Sequence, residues 1–467
     1  AFNILDGYIP DQRRILYSRK DEQSPYSAIL SNNLSQQSGS RIFQSLSDYI
    51  YTGGGDLSYN FNWLGQKQTV KGGYMLQIKD RLFDAILFAN YLKRDNATLR
   101  ELPADQIFAP ENFGDGSANS NLFSFSAIVD KQYRYMANTI LNAGFIQFDN
   151  QFTRNLRVVW GLRVEDYDQL VGSVKQWDKR HTHSQVTDFL PGLNATLKLN
   201  NKTNLRLSGS QTVVRPELRE LASLNLYDFE LNASVQGNPA LQRTKVINAD
   251  FRYEIYPRAG EVFTAGVFYK HFEKPIEQIL NEGSGGASTF LFENGDLANA
   301  YGVEVEVRKK LDVISTGLKN FTFQANMAYI YSRVKSDALA LDRPLQGQSP
   351  YLVNFGLLYD NEKSGWNATV LFNQIGERLY LVGDKTNGAS TPDIYEAPRP
   401  VMDFQVAKKI LSNKGELRLN VSDLLNQTQY FYQNRNNKDS FQKNIDAYRF
   451  TRKLGTNFSL TFNYSII

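Results

Sequence analysis

The chain has 467 residues, no cysteine, and a net charge of +4 left over from 52 basic and 48 acidic side chains. That balance lacks the one-sided basic stripe of a nucleic-acid binder. The sequence also has no run of about 18 apolar residues, which excludes a helical membrane span. A membrane crossed by strands is not excluded, because such strands place only alternate residues on lipid. The 26 Tyr and 30 Phe set against 4 Trp fit the aromatic girdles that spanning barrels carry at both water–lipid boundaries.

Taken in chain order, the sequence alternates apolar and polar residues in long stretches. The first strand is predicted near Gln12–Arg19. Further on, Leu156, Val158, Trp160, Leu162 and Val164 alternate with Arg157, Gly161, Arg163 and Glu165. Ile247, Ala249, Phe251 and Tyr253 alternate with Asn248, Asp250 and Arg252, and Val303, Val305 and Val307 with Glu304, Glu306 and Arg308. Phe321 to Tyr329 and Leu417 to Val421 repeat the pattern, the latter around Arg418, and a last strand is predicted over Thr451–Ile466. In Phe458, Leu460, Phe462, Tyr464 and Ile466 that strand shows strict alternation over about ten residues, the length of one membrane crossing rather than of a sandwich strand. The second face carries charge, which a packed core could not hold without pairing.

Short polar turns fall at 63–67, 152–155, 200–203, 256–260, 315–320, 360–365 and 411–415. Longer stretches rich in Gly, Asn, Ser and Pro fall at 21–46, 95–137, 170–185, 215–242, 277–297, 334–349, 379–397 and 426–447. Alternation of turns and long loops is the bacterial outer-membrane arrangement, turns periplasmic and loops extracellular. The expectation is one all-β domain over 1–467, a transmembrane antiparallel β-barrel of about 16 strands.

Several motifs in order carry a resemblance. They are Asp188-Phe-Leu-Pro-Gly-Leu-Asn194, Arg215-Pro-Glu217, Gly237-Asn-Pro239, Arg243-Thr-Lys245, Lys274-Pro-Ile276, Ala300-Tyr-Gly-Val-Glu-Val305 and Leu424-Leu-Asn426. Together they resemble the TonB-dependent outer-membrane receptors, closely from about residue 135 onward and loosely before it. Arg219-Glu-Leu-Ala222, Tyr227-Asp-Phe-Glu-Leu231 and Tyr395-Glu-Ala-Pro-Arg399 look like the Bacteroidota branch of that family. The resemblance implies a 22-stranded barrel closed by an N-terminal plug that imports a scarce nutrient with energy from TonB. Plug, TonB-box and first strands are absent from this sequence, so the resemblance places them N-terminal to Ala1. Implied partners are outer-membrane lipids, the TonB complex through that N-terminal region, and a surface lipoprotein over the loops; nucleic acid is not expected.

Candidate ligand contacts are the loop aromatics Tyr227, Phe229, Tyr380, Tyr395, Tyr430, Phe431 and Tyr432, which can stack on sugars, chelators or peptides or pack loop against loop. Arg157, Arg163, Glu165, Asp250, Arg252, Glu304, Glu306, Arg308 and Arg418 are candidate lumen-facing charges, able to meet a plug or solute or to pair with one another across strands. Arg215-Pro216-Glu217 either contacts ligand or plug or fixes where a strand ends. His181 and His183 read as a solvated loop without further metal ligands, and His271 as structural. No cofactor, metal or catalytic motif is expected. The readings left open are an active importer, a passive porin of about 16 strands, and a docking component of an outer-membrane complex.

Overall fold

A computed structural model describes residues 12–465 except 14, 35–38, 64, 129–132, 173–176, 229–230, 232, 283–287, 336–342, 384–391, 434–440 and 443–444. Its main element is a 17-stranded antiparallel sheet. Two members, Gln12–Arg13 and Ser124–Ile128, are short pieces; the other fifteen run as an unbroken meander from Arg41–Trp63 to Asn457–Tyr464. The seven short turns fall where the alternation breaks, between strand pairs such as Gln151/Leu156, Asn200/Thr203 and Ile410/Gly415. Among the described residues no pairing joins Asn457–Tyr464 to Arg41–Trp63, so this sheet stays open.

Two expected strands differ in detail. The segment expected as one strand at Gln12–Arg19 is divided: Gln12–Arg13 lies on the edge of Arg41–Trp63, and Leu16–Ser18 pairs with Ser27–Ile29 in a separate sheet. The segment expected at Thr451–Ile466 is also divided, with Ala447–Arg452 in a loop sheet and Asn457–Tyr464 in the main one. Gly455, at φ +83° in a conformation open to glycine, sits in the break. Ile466 lies outside the described residues.

Register makes the face assignment a matter of counting. Tyr253, Ala265, Val305 and Met327 form one cross-strand row, and Phe251, Val267, Val303 and Tyr329 the next. Ala249, Tyr269, Tyr301 and Tyr331 form the third, nearest the long loops. These side chains are large and exposed: Phe251 44%, Val267 51%, Val303 49%, Tyr329 60% and Tyr301 51%. The band continues through Leu207 and Trp160 on one side and Leu417, Phe462 and Leu460 on the other. Water would not tolerate a continuous apolar surface of that size; lipid requires it. Exposed Trp63, Trp160 and Trp366 mark the short-turn rim, and Tyr269, Tyr301 and Tyr331 the long-loop rim.

The long loops are folded. Two four-stranded sheets and one two-stranded sheet are built from loop segments alone. Leu231, Ala233, Val235, Leu280, Phe290, Leu381, Ile394 and Phe431 form one buried core contributed by different hairpins. A second core packs the helical turn Leu218–Leu221 and Leu224 on Phe83, Leu87, Tyr135 and Val171. Phe83, Tyr135 and Val171 lie opposite the apolar band, so residues 218–226 and Leu241 pack across the inner side of the sheet at its long-loop end.

At the opposite end, the turn before strand Val262–Glu273 is closed by charge. Arg258 donates to Glu261 (2.5 Å) and to Asp312 (2.7 Å), and Lys309 donates to Glu261 (2.9 Å). These cations, Arg258 first, hold the Glu261 carboxyl down at about 2, below its ordinary 4.5. A depressed carboxyl stabilises the fold above its unfolded pKa and loses that contribution as pH falls through the folded one. Protection factors of this turn's amides, taken relative to intrinsic exchange at each pH, are therefore expected to hold at pH 5 and to fall progressively as pH falls from about 4.5 toward 2. Glu261→Gln should remove that pH dependence in hydrogen exchange; an unchanged profile would contradict the assignment.

Candidate functional site

The nine predicted inward charges all lie on the face opposite the apolar band, as the register requires. Their partners vary. Arg157 forms a two-point contact with Asp149 (2.8 and 2.5 Å) and Arg418 meets Glu416 (2.6 Å). Arg252 and Glu304 approach only to 3.8 Å, and Ser208 is 3.4 Å from Asp250. No ion pair is recorded for Glu306 or Arg308 among the described residues.

Arg163 and Glu165 belong to a denser arrangement. Arg163 lies 2.5 Å from Glu165, and Arg215 reaches both Glu165 (2.7 Å) and Asp188 (3.3 Å). Arg243 donates to Asp188 at 2.7 Å. Glu165 is 7% and Asp188 3% exposed. Two buried carboxylates are thus shared among three guanidiniums, a geometry that satisfies acceptors which would otherwise be costly to bury. Arg215 also lies over the Tyr167 ring, 4.3 Å from its centroid.

Arg215 and Arg243 stand at the two ends of the loop folded across the inner face. The network therefore fastens both ends of that loop to one point on the wall. Gly237 sits beneath the same loop, where a Cβ would lie 2.0 Å from the Ala222 carbonyl oxygen, so glycine is required by close approach. Asn238 donates from its backbone to the Glu220 carbonyl (2.6 Å) and from its side chain to that of Phe292 (2.9 Å). Asp188, Arg215, the Gly237-Asn238 pair and Arg243 come from four of the motifs, and here they form one clamp.

The loop aromatics divide into two groups. Tyr380, Phe431 and Phe450 surround Arg452, with Phe431 and Phe450 stacked at 4.3 Å and the Arg452 guanidinium 4.9 Å from the Phe431 ring. Tyr430, Phe441 and Tyr448 cluster with ring centroids 5.4–6.0 Å apart, Tyr430 stacked on Phe441, with Tyr432 4.7 Å from Phe441 and Tyr395 beyond it. Phe431 (1% exposed) and Tyr432 (0%) are interior. They form the wall, while half-buried Tyr380, Tyr395 and Tyr430 present ring surface. Tyr432 donates to Glu377, and burial followed by that carboxylate pushes its phenol well above the ordinary range. Tyr227 has its backbone in strand Asn225–Asp228; its side chain and Phe229 lie outside the described residues.

Phe441, Tyr448, Phe450 and Arg452 were missed in the sequence. The alternation of Tyr448 and Phe450 within Ala447–Arg452 was a signal for them. His183 lies 2.7 Å from Asp168 and His271 2.8 Å from Asn299. Among the described residues no group of three or more metal ligands forms.

An open meander with an apolar outer band, a charged inner face and a folded loop layer defines a transmembrane antiparallel barrel sheet. The chain belongs to the outer membrane protein beta-barrel family, which it matches over residues 110–464. It is therefore an outer-membrane protein, its short turns periplasmic and its long loops extracellular. No helix of the described residues is long and apolar enough to cross a membrane. No curated protein matches the chain.

Among solved structures, the chain is similar to the ferric citrate transporter FecA (TM-score 0.59, 13% identity, 94% of this chain and 57% of that one). It is similar to the ferric-catecholate import receptor Fiu of E. coli K12 (0.60, 14%, 97% and 58%) and to the copper transporter OprC (0.56, 15%, 94% and 64%). At such identities the likeness is one of fold. The chain spans less than two thirds of the length of each.

Proposed function

We propose that this chain is the barrel portion of a TonB-dependent importer of the Bacteroidota type, which captures a scarce nutrient over its loop layer. The observation that carries this reading is the charged inner face, roofed by a clamped loop and surrounded by stacked aromatics. In this reading the charged face lines a lumen, and the half-buried rings of Tyr380, Tyr395 and Tyr430 form the capture surface. Polypeptide beyond these residues supplies the remaining strands of a 22-stranded barrel and a plug that engages TonB. The open sheet favours this over self-closure, since unpaired strand edges in lipid are untenable. The FecA, Fiu and OprC structures, named for ferric citrate, ferric-catecholate and copper, support a small, scarce cargo, and a surface lipoprotein is a further candidate partner over the loops.

The test uses protein extracted intact from its native membrane. Its mass should exceed 53.2 kDa by a plug and several strands. Reconstituted in a planar bilayer it should show no steady conductance. A mass equal to this chain's together with a stable ohmic channel would replace the importer with a passive porin.

A further inference from the structure

The two four-stranded loop sheets are joined. Strand Ile276–Glu282 ends one and strand Arg378–Leu381 the other. Val382, just past the second strand, bridges to Ile279 in parallel. Leu280 donates its amide to the Val382 carbonyl (2.8 Å), and Val382 donates to that of Gln278 (3.3 Å). The result is one run of eight strands drawn from four loops, 215–243, 274–296, 376–398 and 423–456.

A fifth loop lies across the joint. The Gln346 side chain accepts from the Gln278 amide (2.7 Å) and donates to the Tyr380 carbonyl (2.7 Å). Gly347 donates to the Leu379 carbonyl (2.7 Å), and Arg343 holds Glu277. Arg449 reaches Ser288 from another loop (3.3 Å).

The links to the barrel are short. Two residues separate barrel strand from loop strand at each of four crossings, 274–275, 295–296, 376–377 and 397–398. The first two crossings are bonded to each other: Lys274 donates to the Asp296 carbonyl (3.0 Å) and Gly295 to that of Pro275 (2.7 Å). Gly376 donates to the Tyr351 carbonyl and Ala397 to that of Tyr430, both at 2.9 Å. Pro275 and Pro398 have φ fixed by their rings. The motifs Lys274-Pro-Ile276 and Tyr395-Glu-Ala-Pro-Arg399 are thus the points where loop strands leave or rejoin the wall. A hinge needs residues free to absorb changes in φ and ψ, and these crossings are bonded or prolyl.

We propose that the eight strands and the fifth loop form one fixed roof, a single cooperative unit that does not close loop by loop over a ligand. Lifting the hairpin of Ile276–Glu282 and Ser288–Asn294 alone would break its ladder with Ala233–Gln236 on one side and the Val382 bridge on the other. It would also break the buried Glu277–Arg343 pair. The strands therefore share one opening reaction. A ligand meeting this layer finds its surface already ordered, so binding carries little cost for fixing loops. Residues 215–224 lie outside the sheet and answer to the clamp at Asp188. The roof holds whether or not the barrel imports anything.

The test is hydrogen exchange on the full-length protein in detergent. It is read over strands Ala233–Gln236, Ile276–Glu282, Arg378–Leu381 and Gln429–Gln433, one from each loop of the sheet. Their opening free energies should converge on one value as urea is raised. Gln346→Ala should accelerate exchange about tenfold in all four, including Gln429–Gln433, which stands two strands beyond its contacts. Leu99→Ala, in the separate core of Leu92, Leu99, Ile107 and Phe123, should leave all four unchanged. Acceleration by Gln346→Ala confined to Ile276–Glu282 and Arg378–Leu381, or none at all, would overturn the proposal. So would equal acceleration by Leu99→Ala, or four unrelated opening energies in the parent protein. The chain has no cysteine, so spin labels at Glu293→Cys and Lys363→Cys report the distance from roof to periplasmic turn. One narrow population is expected in liposomes; two would mean a moving lid.

Discussion

Asp188→Asn is expected to release the loop of residues 215–243 from the barrel wall without unfolding the barrel. The carboxylate is 1% exposed at its side chain and is shared by Arg215 and Arg243. Removing one partner of a buried ion pair costs about 3 kcal/mol, mostly because the remaining charges are left uncompensated. Glu165 keeps Arg215, but Arg243 loses its recorded carboxylate partner. Amides of the helical turn Leu218–Leu221 should then exchange about a hundredfold faster if that cost falls on local opening. Glu304→Gln provides the comparison, since its 3.8 Å contact with Arg252 is half exposed on both sides and should cost at most about 0.5 kcal/mol. Equal protection in Asp188→Asn and the parent protein would show that the loop is held by its apolar core alone.

The second large effect is expected at Glu277 and Arg343, which join two loops inside the extracellular layer. The pair is bidentate, at 2.8 and 2.6 Å, with side-chain exposures of 2% and 7%. Glu277 also accepts from the backbone of Gln346, and Gln278 donates to the Gln346 side chain. Arg343→Met alone strands a buried carboxylate and should destabilise the layer by about 3–5 kcal/mol. Glu277→Leu combined with Arg343→Met removes both charges and should recover most of that loss, because apolar replacement of a buried pair is often neutral. Protection of strand Ile276–Glu282 in hydrogen exchange separates the two variants. A double variant no better than the single one would mean that the hydrogen bonds to Gln346, rather than charge balance, hold these loops.

The sequence displayed the membrane strands because each separates two solvents and so repeats with period two. Phe251, Tyr253 and Val303 are legible for that reason, as are the short turns. The division of the first and last expected strands was not legible. Tyr448 and Phe450 alternate just as Phe458 and Leu460 do, and alternation does not say which sheet a strand joins. The loop layer was hidden for a related reason. Leu280, Ile394 and Phe431 share one core, yet each stands in a stretch whose composition reads as irregular.

The clamp illustrates the same limit. Asp188, Arg215 and Arg243 were visible as motif residues, but the contacts uniting them span 27 and 55 positions. Inward charges were read as meeting a plug or solute or as pairing with one another across strands. Glu165 instead takes Arg163 from its own strand and Arg215 from a loop, an arrangement that only the folded loop creates.

Strands Arg41–Trp63 and Gln66–Tyr91 have 23 and 26 residues, about twice the 9–11 needed to cross a bilayer. The hairpin therefore rises above the lipid like a mast, and its upper part bears Ile42, Phe83 and Leu87, on which the clamped loop packs. Height and stiffness at this side of the mouth are set by backbone ladder, not by bilayer thickness. A molecule approaching along the membrane surface meets a wall in this sector.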